Sequence, residues 1–196
     1  DGTVRSAEAG FTFSSSEGGA AFQCRLDGGA YEGCSSPRTY PGLGDGAHTF
    51  SVRALSADGR PDPTAAGRDW VIDTTPPAVV SLDPADGATG VNVGSAVSAA
   101  FSEDLDPTTV GATAFTLVVD STGLPVAGRV TYDAAGRRVT FIPESDLLPL
   151  VAYRAQVAGN VLADVPGNRM AEARTWRFTT GAPAPMPATP APPLSP

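Results

Sequence analysis

The sequence predicts an all-β chain: two antiparallel β-sandwiches in tandem, followed by a Pro/Ala-rich C-terminal tail. Apolar residues recur in short runs with a period of two, the pattern of strands buried on one face. Gly (22) and Pro (19) are frequent in the 196 residues and punctuate those runs. The content is 41% hydrophobic and 17% charged, too apolar for a disordered chain.

Residues 1–75 form the first expected unit. Phe11 and Phe13 alternate, as do Phe22, Cys24 and Leu26, then Phe50, Val52 and Ala54, then Trp70 and Ile72. The stretches GLGDGAH and SADGRPDP supply turn residues between these runs. The Pro-Pro of DTTPP (73–77) imposes an extended linker. Residues 76–180 form the second unit. Its alternating runs are Val97 to Phe101, Phe115 to Val119, Val126 to Tyr132, Val139 and Phe141, Tyr153 to Val157, and Trp176 with Phe178. Short strands at this regular spacing mark a sandwich. Two short helical turns are expected, one in DPTTVGATAF with Asp106 as N-cap and Pro107 at the first position, the other in PESDLLPL. Residues 181–196 hold seven prolines, which lack the N–H a central strand needs, and read as an extended tail or linker.

The formal charge is −8, and every basic residue apart from His48 is Arg. Nucleic acid is excluded as a partner, because its backbone calls for a clustered basic face and the densest basic spot is Arg137-Arg138. No apolar run is long enough for a membrane-spanning helix. The start at Asp1, without Met or signal sequence, is expected of a mature form, a processed form or a fragment.

Cys24 and Cys34 flank the turn signal Asp27-Gly28-Gly29 in CRLDGGAYEGC. Two cysteines and one histidine fall short of a zinc set, and the spacing is not C-x-x-C. A hairpin centred on Gly29 places them opposite each other, within reach of a disulfide. A structural disulfide implies an oxidising compartment, so the chain is expected outside the cell, at its surface or secreted.

Other residues invite functional readings. His48 begins a strand and reads as structural, bonding a turn carbonyl. No nucleophile elbow accompanies it, so no catalytic residue is assigned. Glu103, Asp104 and Asp106 form an acidic cluster that suits a loop and helix cap better than Ca²⁺ ligation or glycoside hydrolysis. Asp164 and Asn168, in ADVPGN, read as an Asx-type turn with Gly167 and Asn168 at positive φ, with Ca²⁺ as the weaker alternative. Trp70, Trp176 and Phe178 alternate with polar residues and are expected in the core rather than in a sugar-stacking platform. No cofactor and no metal ligand are assigned.

The first unit, from FTFSSSEGG through CRLDGGAYEGC to LGDGAHTFSVRALSADG, resembles a disulfide-containing Ig-like repeat of bacterial surface proteins. The second resembles the S-layer-type, SbsA-like bacterial Ig-like domain, on PADGATGV, FSEDLDPTTV, VTYDAAGRRVTFIPESDL, YRAQV, LADVPGNRM and WRFTT. The resemblance implies Ig-like sandwiches and a non-catalytic structural or adhesive role. The implied partners are protein: other copies or neighbouring domains of a surface assembly, rather than a small molecule. Repeats of the first type begin with an extra strand before the GTV element; here the sequence opens at Asp1, and that strand is expected to be missing, to be supplied by something else, or to fall before the point where processing begins. A sheet edge left open in this way would accept a strand donated by a neighbour, as in a filament or lattice. An accessory carbohydrate- or ligand-binding module of a secreted enzyme is the alternative.

Overall fold

The structure is a computed structural model and describes residues 2–182. The expected tail, from residue 183 onward, lies outside the described residues. The chain divides into two compact units: residues 1–76 together with Ala163–Arg169, and Pro77–Leu162 together with Met170 onward.

The first unit holds seven strands: β1 (Thr3–Val4), β2 (Ala9–Phe11), β3 (Ala21–Leu26), β4 (Glu32–Cys34), β5 (Arg38–Tyr40), β6 (Gly46–Leu55) and β7 (Ala66–Ile72). One sheet has the order β1-β7-β6-β3-β4, and β2-β5 forms the other. The alternation read in the sequence sets the faces. Phe22, Cys24 and Leu26 of β3 turn inward with Phe50 and Val52 of β6, and Trp70 and Ile72 of β7. Phe11 and Phe13 close the core from the opposite side; the Phe11 ring stacks on Phe50 with centroids 4.0 Å apart.

The second unit holds β8 (Val79–Asp83), β9 (Ala88–Val91), β10 (Val97–Phe101), β11 (Phe115–Val119), β12 (Gly128–Asp133), β13 (Arg138–Pro143), β14 (Ala152–Val157) and β15 (Arg174–Thr180). Its sheets have the orders β12-β13-β10-β8 and β11-β14-β15-β9. Between them lies a continuous core that includes Val97, Phe115, Phe141, Tyr153, Trp176 and Phe178. Trp176 and Phe178 alternate inward on β15 as their spacing predicts.

Two ladders depart from the antiparallel expectation. β1 runs parallel to β7, and β9 runs parallel to β15. In the second unit the chain pairs antiparallel with β10 as β8, then crosses to the other sheet as β9. Having crossed without reversing, it lies parallel to the last strand. These short edge strands carry little alternation, which is why the sequence pattern passes over them.

Of the two expected helical turns, one forms. Pro107–Thr109 is a 3₁₀ turn whose N-cap, Asp106, accepts the Thr108 N–H. PESDLLPL stays non-helical. There the Leu147 N–H donates to the Val93 carbonyl and the Leu148 N–H to the Tyr153 hydroxyl. Those donors serve long-range partners, and Leu148 precedes a proline, which disfavours helical backbone.

Gly128 on β12 has no room for a side chain. It pairs with Pro143 and lies under the ring of Phe141, which a β-carbon at position 128 would overlap. Gly128→Ala therefore displaces Phe141 and destabilises the second unit by about 1–3 kcal/mol. Chemical denaturation of the variant checks this.

Candidate functional site

The stapled hairpin anchors one end of the first unit. Cys24 and Cys34 are bonded, with Cα atoms 5.8 Å apart. They are not directly opposed: Cys24 faces Glu32 and Cys34 faces Phe22. The turn centres on Gly28 rather than Gly29, with Asp27 and Gly28 both at positive φ (49° and 72°). That one-residue shift makes the cysteines a diagonal pair on a single face, still within bonding reach.

Asp27 ties this turn to β6. Its carboxylate accepts the Thr49 N–H at 2.9 Å and meets His48 Nδ1 at 2.9 Å. His48 Nε2 lies 2.8 Å from the Gly44 carbonyl, the turn-carbonyl bond expected from the sequence. Both ring nitrogens thus face acceptors, and only the imidazolium donates to both. The Gly44 carbonyl, followed by the Asp27 carboxylate, raises the His48 pKa above 6.5 against the opposing effect of desolvation. For Asp27, desolvation is the largest single influence and raises the pKa. The Thr49 N–H and His48 together outweigh it, and the net value falls below 3.8.

The sign of the pH dependence follows. The His48 contribution is fully present below pH 6.5 and is lost as pH rises through the raised folded value. The Asp27 contribution is present above pH 3.8 and is lost as pH falls through the lowered folded value. Melting the protein over a pH series that rises from 6.5 checks the first statement. The wild type loses stability there, and His48→Gln flattens that part of the profile.

The acidic residues singled out in the sequence are engaged in structure. Asp106 Oδ1 accepts both the Thr108 hydroxyl (2.7 Å) and its N–H (2.9 Å), in that order lowering its pKa below 3.8. Asp104 pairs with Arg137 Nε at 2.9 Å. Glu103 is engaged as well. Asp164 is fully buried, and its carboxylate accepts the N–H groups of Gly167 and Asn168 and the Asn168 side-chain amide. This is the expected Asx-type turn. Gly167 has φ of 98°, whereas Asn168 does not adopt the positive φ expected of it.

Strand β2 has one side open among the described residues. β2 pairs with β5 on one side, and among the described residues no strand pairs with its other side. The Ala7 carbonyl accepts the Leu43 N–H, and the Phe13 N–H donates to the Ser36 hydroxyl, both on the β5 side. Backbone groups of successive strand residues point to alternate sides. Glu8, Gly10 and Thr12 therefore turn their N–H and C=O groups to the open edge. Ser6 covers those of Glu8: its hydroxyl accepts the Glu8 N–H and donates to the Glu8 carbonyl. Along this edge runs an open groove of about 510 Å³, lined by Val4, Phe11, Trp70, Glu8 and Arg68 among others. Sequence patterning places Phe11 and Trp70 in the core but is blind to this edge, since unused backbone valence leaves no trace in side-chain periodicity.

The second unit supplies the comparison. There β10, which like β2 follows a strand parallel to the last one of its unit, is flanked on both sides, by β13 and by β8. Val79 and Leu82 of β8 pack against the core there.

The chain shares 20% identity with the S-layer protein rSbsC(31-844) at a TM-score of 0.44, over 57% of this chain and 14% of that one. With PcoC, a methionine-rich copper resistance protein from Escherichia coli, it shares 20% identity at a TM-score of 0.44, over 54% of this chain and 99% of that one. With the fibronectin(III)-like modules of Clostridium thermocellum CbhA it shares 12% at a TM-score of 0.36, over 92% and 89%. No curated protein matches the sequence. The family model for the bacterial Ig-like domain matches residues 73–180, more than half of the chain. With the two sheets of its second unit, their alternating core and this match, the chain belongs to the bacterial Ig-like domain family.

Proposed function

We propose that this chain is a non-catalytic structural and adhesive module of a bacterial surface protein, working outside the cell in contact with neighbouring copies. Its first unit is a disulfide-containing Ig-like repeat, and its second is of the S-layer type. The module builds a filament or lattice by accepting a neighbour's strand. The observation that carries this reading is the match of residues 73–180 to the bacterial Ig-like domain family, beside a first unit stapled by the Cys24–Cys34 bond. An unpaired edge with apolar surface beside it is a template for another strand. The Cys24–Cys34 bond supports an oxidising location. The acidic groups that would serve hydrolysis are instead held by Thr108 and Arg137.

Treating intact source cells with an impermeant protease tests the location and, alongside it, a polysaccharide pull-down tests the competing carbohydrate-binding role. The reading predicts digestion on intact cells and no saturable binding to polysaccharide. Protection inside the cell, or saturable polysaccharide binding, overturns it.

A further inference from the structure

We infer that Arg25 and Arg53, stacked on Tyr31 on the outer face of the first unit, receive the carboxylates of Glu144 and Asp146 from a second copy of this chain. The contact is independent of strand donation, and it rests on the reading that copies neighbour one another.

The basic spot follows from the strand faces. Phe22, Cys24 and Leu26 of β3 turn inward with Phe50 and Val52 of β6. Gln23, Arg25, Ser51 and Arg53 therefore point out. Gln23 opposes Arg53, and Arg25 opposes Ser51. The guanidinium carbon of Arg53 lies 3.9 Å from the centroid of the Tyr31 ring, and that of Arg25 lies 4.7 Å from it. Gln23 Oε1 accepts from Arg53 Nε at 3.0 Å and from its Nη2 at 2.8 Å. Both cations are held before a partner arrives, which lowers the ordering cost of binding. Among the described residues, no carboxylate pairs with either.

Ser51 adds an independent sign of a ligand. It is only 7% exposed, and among the described residues nothing bonds its hydroxyl. That hydroxyl lies 3.8 Å from where a β-carbon on Gly67 would stand, in the gap the glycine leaves on the outer face. A donor hydroxyl beside two guanidinium groups suits carboxylate oxygens.

Two copies that each carry −8 repel at a distance, so attraction between them has to be local. Glu144 and Asp146 supply its other half. Both are exposed, and among the described residues no bond or ion pair holds either carboxylate. Other unheld acids, such as Glu17, Asp58 and Glu172, stand singly. Residues two positions apart span at most about 7 Å. Arg25 and Arg53, diagonal neighbours across the β3–β6 ladder, are about 7–8 Å apart. The spacings match. One copy gives a face of its first unit and the next a loop of its second. Such a heterologous contact repeats from copy to copy, as a filament or a ring.

The test uses full chains and two double variants: Arg25→Glu with Arg53→Glu, and Glu144→Arg with Asp146→Arg. Far-UV circular dichroism checks that each folds; where reversal impairs folding, Arg25→Gln with Arg53→Gln replaces the first. Sedimentation over rising concentration measures association. We expect the wild type to self-associate and each reversed variant alone to do so at least about tenfold more weakly. An equimolar mixture of the two reversed variants recovers association, because each supplies the charges the other lacks.

A wild type that stays monomeric, or a mixture that recovers nothing, would overturn the inference. So would binding of polygalacturonate through Arg25 and Arg53 in place of self-association, since the occupant would then be an acidic polysaccharide. If copies associate equally with and without the substitutions, neighbour contact stands and this spot is not its route. If the mixture recovers but intact cells shield the protein from protease, the surface reading fails and this contact stands.

Discussion

Trp176→Ala lowers the stability of the second unit by about 3–5 kcal/mol, the range for deleting a fully buried Trp or Phe. Trp176 is 1% exposed and sits on β15, between β14 and β9. Its ring meets Phe115 edge-on, with centroids 5.5 Å apart. Truncation leaves a void in the middle of the core, bordered by strands held in register on both sides, so the surroundings cannot collapse to fill it. Trp176→Phe costs far less. The indole Nε1 is buried without a hydrogen-bond partner, and a donor left unpaired in the core costs about 1–3 kcal/mol. Phenylalanine removes that donor as it removes area, so the two effects oppose. Urea denaturation followed by far-UV circular dichroism and by the amide resonances of the second unit checks both variants. Equal losses for Ala and Phe would contradict this account of the site.

Removing the Cys24–Cys34 bond by paired alanine substitution lowers the stability of the first unit by about 3 kcal/mol. The closed loop spans a sequence separation of 10, and a loop of that length restricts the unfolded chain by roughly this amount. The effect is large in proportion because the unit is small and few of its residues are fully buried: Cys24, Phe50, Val52, Trp70 and Ile72 form its centre. Reductant acting on the wild type produces the same loss. The second unit, which contains no cysteine, keeps its own midpoint. A reductant-insensitive first unit would mean that the aromatic stack of Phe11 on Phe50 carries the fold without the staple.

Much of the fold was legible in the sequence because a strand buried on one face writes its orientation into every second residue. Phe50 with Val52, Val139 with Phe141, and Trp176 with Phe178 all point inward as their spacing requires. Asp106 was legible as a cap because Pro107 follows it and Thr108 supplies the donor. What escaped was set by the backbone or by distant partners. The hairpin centre moved from Gly29 to Gly28 because Asp27 takes up positive φ and bonds across to Thr49, a contact that local turn residues do not encode. β1 and β9 are too short to show a period, and their parallel pairing depends on where the chain crosses between sheets. The candidate site was legible in outline only. The GTV element raised the question of an open edge, but which carbonyls and N–H groups are left over follows from the β2–β5 register and from the Ser6 hydroxyl, neither of which has a sequence signature.

The central claim is that this module works by joining neighbours, and imaging the native assembly tests it most directly. Cryo-electron tomography of the source cell surface, with the first unit tagged, is predicted to show copies in regular contact through that unit, with continuous density along the outer edge of β2. Isolated copies that touch no neighbour, or regular contacts that leave that edge facing solvent, would contradict the account.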